Sequence, residues 1–427
     1  MREMDQHRIG IDDIAIYLPA PRIRMDSLIE SRSISHPELV SVLKKAIEKT
    51  GLKSFRFPDP WEDTASLAAN AAASVFDRID PNQIAALRWI AAGTETAVDH
   101  SKPVSSYVQG MLQEAGYNVG ANLTTFEMKH ACAGATAALL SSAAMLGYSG
   151  NADEGALVVC SDISRYEAPS SAELTQGAGA AALMVKKNPR LLEIDLCHQG
   201  YFSSDVDDFF RPLGSVTAKV KGQYSMKCYQ EALIAAFDDY CRRIKQEPQK
   251  VLDSTDYLAL HVPFPKMPEA AFSKLFNRFC GRNSRALEQF LSRTGFLDAM
   301  YLSRETGNLY TVSLYAYITA LLEQEWNLKG DGIVGKSLLI ASYGSGNTMI
   351  VFKGIIASGA PEVISQWHIR DGLKKYRDVD FHEYLNWLAR PKDYRVLKNL
   401  LEGAAPSKGM FYLKDFTETG FRLYDRA

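Results

Sequence analysis

Short apolar, β-branched runs recur along the chain, separated by longer alanine-rich stretches. Residues 9–17, 87–93, 123–128, 156–161 and 178–185 read as strands. Between them, residues 62–78 form an alanine-rich helical pattern, and 105–115 reads as a helix starting just after Pro103. A third helix runs from Cys132 to a stop near Gly147 and Gly150. After about residue 190 the order returns. Residues 191–197 and 257–262 read as strands, 309–322 (LYTVSLYAYITALL) as a largely apolar helix, and 337–342 and 348–352 as strands around the turn Tyr343-Gly-Ser-Gly346.

Each half therefore has one apolar helix that belongs in the centre, with strands around it. Cys132 opens the first and Asn308 the second. Two α/β halves, 1–190 and 191–427, facing each other across a pseudo-twofold would bring both helix starts to one place. No low-complexity linker separates them, which predicts one unit. Residues 366–427 are richer in charge and aromatics and read as a surface extension of the second half.

Composition narrows the partners. The chain has 427 residues, 46% hydrophobic, with a net charge of −2. That length gives two or three domain-sized cores. The balance of charge offers no broad face for nucleic acid or an acidic membrane. The start, MREMDQHRIG, is polar and lacks the apolar core of a signal peptide. Residues 131–148 have the length of a membrane span, but Ala, Gly, Ser and Thr gain little from lipid, and a buried helix fits better. Six cysteines (Cys132, Cys160, Cys197, Cys228, Cys241 and Cys280) form no CxxC and no zinc set. A cytoplasmic protein with free thiols and no metal is expected.

The stretch FEMKHACAGATAALLSSAAML, residues 126–146, sets a lone thiol where a strand gives way to an apolar helix. A thiolate there would be favoured by unpaired N–H groups and the helix dipole, which lower its pKa. Ala131, Ala133, Gly134 and Ala135 leave room for a reactant. The alternative is an inert core cysteine. Glu95 follows the run 87–93, at a strand end where α/β proteins bind ligands; alone it could be a solvated loop carboxylate. His261 ends a strand before Pro263 and could be a structural histidine. His130 is nearer the cysteine in sequence, with its direction open. Together Cys132, Glu95 and His261 suggest a nucleophile, a general base and a polarising or proton-transferring group.

Nine segments in order carry a resemblance: Glu62-Asp63 with Ala69-Asn70-Ala71, GTETAVDHSKP, FEMKHAC, SDISRY, LTQGAGAAAL, DVDDFFRP, HVPFPKM, TGNLYTVSLY and SYGSG; the closing GMFYLKDFTETGFRLYDR fits as well. The chain resembles the 3-hydroxy-3-methylglutaryl-CoA synthase branch of the thiolase superfamily over nearly its whole length. The resemblance implies a thiolase-like fold, two pseudo-twofold-related α/β halves in a layered αβαβα arrangement. It implies that Cys132 takes an acetyl group from acetyl-CoA, that Glu95 removes a methyl proton, and that the enolate attacks acetoacetyl-CoA held by His261. Water would then free HMG-CoA. It implies supporting roles for Asp162, Tyr166, Asp208, Asn308, Tyr343 and Ser345, the two aspartates orienting others. Oxyanion donors would come from the N–H of Cys132 and the turn Gly344-Ser345. Thr175, Ser225, Lys266 and Lys221 would meet the substrate or its phosphates, although Lys266 and Lys221 also read as solvated surface lysines. A homodimer, no cofactor beyond the thioesters, and a mevalonate-pathway role for isoprenoid supply are further expectations.

The chain departs from the family pattern at the entrance. Ala133 replaces a tyrosine, Lys221 an aspartate, Glu269-Ala270 a lysine pair and Arg24 an acidic residue. These motivate a rival in which the same condensation runs on acyl-carrier-protein substrates, as in polyketide β-branching. A ketoacyl-synthase-III-like enzyme using Cys132, His261 and Asn308 would not need Glu95. A non-catalytic acyl-binding protein would not need the trio.

Overall fold

In the computed structural model, which describes residues 8–391 and 393–427, alternate residues of single strands face two different cores. Ala156, Val158 and Cys160 of Gly155–Ser164 join a central core, while Leu157 and Val159 join an outer one. Leu183 and Val185 of Gly177–Lys187 point inward, Ala182 and Met184 outward. Such strands lie in a sheet covered on both faces, which is why they carry no polar stripe. The polar start read at residues 1–7 lies outside the described residues.

Nine strands form one sheet in the order Tyr257–Leu260, Ser337–Gly344, Thr348–Ile356, Leu192–Ser203, Ile9–Tyr17, Gly177–Lys187, Gly155–Ser164, Leu87–Gly93, Thr124–Met128. From the central pair outward, each half runs antiparallel, antiparallel, parallel; the first half adds one more parallel strand at its edge. This repeated order is the expected pseudo-twofold. The halves join at two residue pairs, Gly10 with Glu193 and Ile11 with Leu192. A Cβ on residue 10 would lie 2.0 Å from the Leu192 carbonyl oxygen, so this close approach requires glycine.

Helices Thr64–Phe76 and Val104–Glu114 cover the outside of the first half, and Gly222–Arg243 and Lys266–Cys280 that of the second. Gly134–Tyr148 and Ser313–Lys329 lie between the halves, giving the layered thiolase-like arrangement. The helix read from residue 62 starts at Thr64. Asp63 caps it by accepting the Ala65 and Ser66 N–H groups, and its own N–H is donated to Ser66 Oγ. The window Ala131–Tyr148 is apolar enough for a membrane span by length and composition. Here its Ala135, Ala138, Leu139 and Leu146 pack into the central core.

The segment from about residue 366, expected to extend the second half, packs largely on the first. Arg377–Asp378 pairs in parallel with Pro21–Arg24. Tyr384 and Trp387 share a core with Ile23, Phe55 and Phe57. The Asn70 amide exchanges two hydrogen bonds with the Phe411 backbone, 3.0 and 2.8 Å. The first half has an apolar flank that its own chain leaves open, and the aromatic residues of the extension bury it.

Candidate active site

The repeated topology predicts where side chains converge. Glu95 lies two residues beyond Leu87–Gly93, and His261 directly follows Tyr257–Leu260; these strands hold equivalent places in the two halves. Cys132 and Asn308 precede the two central helices in the same equivalent way. The helices begin later than the sequence suggested. Gly134 starts the first, and Ala131, with φ of 40°, turns the chain so that Cys132 sits in the loop before it. The second starts at Ser313 after a tight turn, Tyr310–Val312. Asn308 caps that turn: its Oδ1 accepts the Tyr310 N–H (3.0 Å) and the Ser313 hydroxyl (3.3 Å).

Cys132, 9% exposed, donates its thiol to Glu95 Oε1 at 3.2 Å. The other carboxylate oxygen, Oε2, accepts Nη2 of Arg211 at 3.0 Å. Tyr166, Phe209 and Tyr310 pack edge to face around the thiol, with ring centres 5.7–6.3 Å apart. Gly344 abuts the cysteine loop: a Cβ there would lie 2.3 Å from the His130 carbonyl oxygen and 2.9 Å from the Ala133 nitrogen. The turn 343–346 is thus beside the cysteine, where oxyanion donors were sought, although the Gly346 N–H is already donated to Asp208 (2.9 Å). His261 is buried; its backbone carbonyl accepts the Tyr229 hydroxyl at 2.9 Å, and Tyr229 stacks edge-on against Tyr343, 4.8 Å between centres.

Asp162 and Asp208 organise this centre. Oδ1 of Asp162 accepts the hydroxyls of Thr94 (2.8 Å) and Thr96 (2.7 Å) and the Glu95 N–H (2.9 Å). Its Oδ2 accepts the Thr311 hydroxyl (2.6 Å) and N–H (3.1 Å). One carboxylate thereby pins the Glu95 loop of the first half to the helix start of the second. Asp208 accepts the hydroxyls of Ser225 (2.9 Å) and Tyr343 (3.1 Å), which ties the turn 343–346 to the strand pair bearing Phe209. Ser345 lies close enough to the Tyr343 phenol to oppose the rise in pKa that burial gives it. Asn308 Nδ2 reaches the Tyr166 hydroxyl at 3.4 Å.

Electrostatics overturn one expectation. The Cys132 thiol was expected to ionise easily at a helix N-terminus. Burial, and then the Glu95 carboxylate against it, push its pKa well above the ordinary thiol value. Cys132 lies two residues short of the helix, and a full negative charge in contact outweighs a distant partial positive one. Burial raises Glu95 to about 7, helped by Asp162; Arg211 and the thiol hydrogen bond oppose the rise. A carboxylate with that value can take and return protons near neutrality. Burial raises Asp162 too, against the hydroxyls of Thr311 and Thr96. Burial depresses His261 to about 3, so its imidazole is neutral and keeps one ring N–H to donate.

Other expected residues fall elsewhere. The Ser225 hydroxyl donates to Asp208, and the Thr175 hydroxyl to the Ala172 carbonyl at 2.9 Å. Thr175 instead supports the site through its backbone oxygen, which accepts the Asn308 N–H. Lys221 forms an exposed ion pair with Asp207. Lys266 is exposed at the start of Lys266–Cys280, against Gly51. Arg24 is exposed and pairs with Asp26 at 3.5 Å, and Glu269 lies in the first turn of Lys266–Cys280. His130 is exposed. The sequence reading missed Arg211, Phe209, Tyr310 and Thr311. The signal for Arg211 was a single cation closing the acidic run DVDDFFRP. Among the described residues no group of three or more His, Cys, Asp or Glu could hold a metal ion.

Two family models match the chain: hydroxymethylglutaryl-coenzyme A synthase N terminal over residues 5–189, and hydroxymethylglutaryl-coenzyme A synthase C terminal over 192–299 and 287–427. A hydroxymethylglutaryl-CoA synthase from Enterococcus faecalis is 30% identical over 353 residues, covering 82% of this chain and 84% of that protein. Among solved structures, MvaS in complex with 3-hydroxy-3-methylglutaryl coenzyme A superposes with a TM-score of 0.85 at 30% identity over 99% of both chains. The curacin-pathway HMG synthase, solved with holo donor-ACP, shares the fold at a TM-score of 0.83 and 24% identity, covering 98% of this chain and 100% of that one.

Proposed function

The chain belongs to the hydroxymethylglutaryl-CoA synthase family, and from that premise we propose that it condenses acetyl-CoA with acetoacetyl-CoA to give HMG-CoA and CoA. The observation that carries the reading is the 3.2 Å contact between Cys132 Sγ and Glu95 Oε1. Glu95 accepts the thiol proton as sulfur attacks the acetyl carbonyl, and the departing CoA thiolate takes that proton. The acetyl group then occupies sulfur, beside a carboxylate that is free again. Glu95 removes a methyl proton, and the enolate carbon attacks the ketone of the acceptor. The neutral His261 imidazole hydrogen-bonds the developing alkoxide, which ends as a hydroxyl carrying the proton that Glu95 took. Water cleaves the thioester and restores Cys132. No cofactor beyond the thioesters enters these steps.

Intact-mass measurement after exposure to acetyl-CoA, or to acetylated carrier protein, tests the donor. Acetylation of Cys132 from acetyl-CoA, absent in Cys132→Ala, is expected. Acetylation from the carrier protein alone would favour the β-branching reading. No acetyl-enzyme from either donor would sink both.

A homodimer belongs to the same reading. The edge strand Thr124–Met128 is half-buried to exposed, and the neighbouring helix exposes Ala144, Gly147 and Tyr148. An unpaired edge beside an uncovered helix face is a surface that a second copy could cover. Light scattering should give twice the monomer mass, and Tyr148→Glu should reduce it. A cytoplasmic role in mevalonate formation completes the proposal. Rescue of a strain lacking its own synthase would support it, and failure with soluble, active enzyme would count against it.

A further inference from the structure

Several largely buried arginines of this chain serve the backbone, while Arg32 pairs with Glu173. Arg56 donates to the carbonyls of Pro19, Leu373 and Lys375, Arg165 to those of Trp387 and Leu388, and Arg390 to those of Asp59, Pro60 and Glu62. These guanidinium groups tie backbone segments together. Arg211 is different. Its one hydrogen bond among the described residues goes to Oε2 of Glu95. Arg211 donates to no backbone carbonyl among the described residues, and the carboxylate it holds is the one that receives the Cys132 thiol. Arg211 lies on the segment after the short strand Phe209–Phe210, whose neighbours Phe209 and Ala218 pack against Cys132.

We infer that Arg211 is a positioning residue for carbon–carbon bond formation: it holds Glu95 in place and charged once the cysteine is acetylated. The inference rests on the reading of Glu95 as the base. In the free enzyme each oxygen of Glu95 has its own partner, the thiol on Oε1 and Arg211 on Oε2. Acetylation replaces the Sγ–H bond by a bond from sulfur to the acetyl carbon, and the proton leaves on the CoA thiol. Oε1 then has no donor and faces the acetyl group. Oε2 is still held, so the carboxylate keeps its orientation while one oxygen is freed for the methyl proton.

The groups facing Glu95 are Cys132 from the loop before the first central helix, Asp162 from Gly155–Ser164, Arg211, and the phenols of Tyr166 and Tyr310. Acetylation neutralises the first, Asp162 opposes ionisation, and the phenols carry no charge near neutrality. Arg211 is the one cation of the set. Its removal raises the Glu95 pKa, so the ionised fraction at neutral pH falls and the base-dependent limb of the rate moves to higher pH.

The test uses the full chain with Arg211→Gln and Arg211→Lys. Three readouts are compared: acetyl-enzyme formation by intact mass, condensation turnover across pH, and thermal unfolding. Arg211→Gln should lose roughly tenfold or more in condensation at neutral pH, since each unit of pKa is tenfold in ionised fraction below it. The loss should shrink as pH rises, and acetylation should fall less than condensation, because the thiol hydrogen bond still favours ionised Glu95 in that first step. Arg211→Lys should recover most of the turnover and keep the wild-type limb. A loss independent of pH, a lysine variant no better than glutamine, or a parallel fall in acetylation would overturn the inference. So would an unaffected glutamine variant. If glutamine prevents folding, the lysine variant decides: its limb must stay at the wild-type pH. Glu95→Ala is measured alongside. Condensation that survives there defeats the reading of Glu95 itself, whereas its loss together with a flat Arg211→Gln profile defeats this inference alone.

Discussion

Replacing Glu95 by glutamine should make Cys132 more acidic, not less, while ending carbon–carbon bond formation. The amide keeps the volume and can still meet the thiol, but the negative charge 3.2 Å from sulfur disappears. A unit charge at about 4 Å acts on another with about 4 kcal/mol at an effective dielectric near 20. At roughly 1.4 kcal/mol per unit, that is an upper bound near three pKa units. Arg211, 3.0 Å from the carboxylate, already offsets part of the field. The net expectation is therefore a fall of about one to two units. The assay is iodoacetamide labelling of Cys132, read by peptide mass from roughly pH 6 to 10, the span that brackets thiol ionisation. Exposed Cys197 serves as the internal reference. The midpoint for Cys132 should move down in Glu95→Gln, and acetylation from acetyl-CoA should survive because the easier thiol compensates for the lost base. Condensation should fall by about 10²–10⁴, the usual worth of a positioned base. An unchanged or higher labelling midpoint would refute the claim that the Glu95 charge governs this thiol.

His261→Asn should flatten the acid side of the stability profile. His261 ionises near 3 in the fold and near 6.5 in the unfolded chain, so the unfolded chain binds the extra proton between those values. The wild type then loses about 1.4 kcal/mol per pH unit through this group as pH falls below about 6.5; urea melts at two pH values should show a smaller loss in the variant. Asp162→Ala strips the acceptor from Thr94, Thr96 and Thr311 and from two backbone N–H groups, at about 1–3 kcal/mol for each donor left unsatisfied. A destabilisation of about 3 kcal/mol or more is expected, with loss of condensation, and a cost under about 1 kcal/mol would contradict it. Lys221→Ala should leave the KM for both thioesters within about twofold, because an exposed ion pair with Asp207 contributes little; a several-fold rise that salt abolishes would restore the phosphate contact.

Periodicity made the layers legible. Strands buried on both faces read as continuous apolar runs, and residues 9–17 and 87–93 match the structure at both ends. Cys132, Glu95 and His261 stood out as candidates because each sits where an element ends. The environment of the thiol was not. Whether Cys132 feels a helix dipole or a carboxylate depends on the left-handed Ala131 and on a neighbour 37 positions away, and neither is a local pattern. Arg211 escaped for a similar reason: a cation beside three aspartates looks solvated until the chain turns it inward. The destination of the extension was hidden because aromatic residues announce burial without naming the surface they bury.

That extension also sets the order in which the enzyme can mature. Arg165 donates to the carbonyls of Trp387 and Leu388, and Gln176 joins the Tyr384 hydroxyl (2.8 Å) to the Tyr166 N–H (3.1 Å). The loop bearing Tyr166, beside Cys132, is therefore braced by residues made more than two hundred positions later. A chain still leaving the ribosome carries Cys132 and Glu95 long before it carries this brace. Contacts so far apart in sequence form late and slowly. Synthesis of the last stretch thus completes the support of the loop beside Cys132. A chain cut short before Tyr384 would carry Cys132 and Glu95 without the contacts that hold the Tyr166 loop beside them.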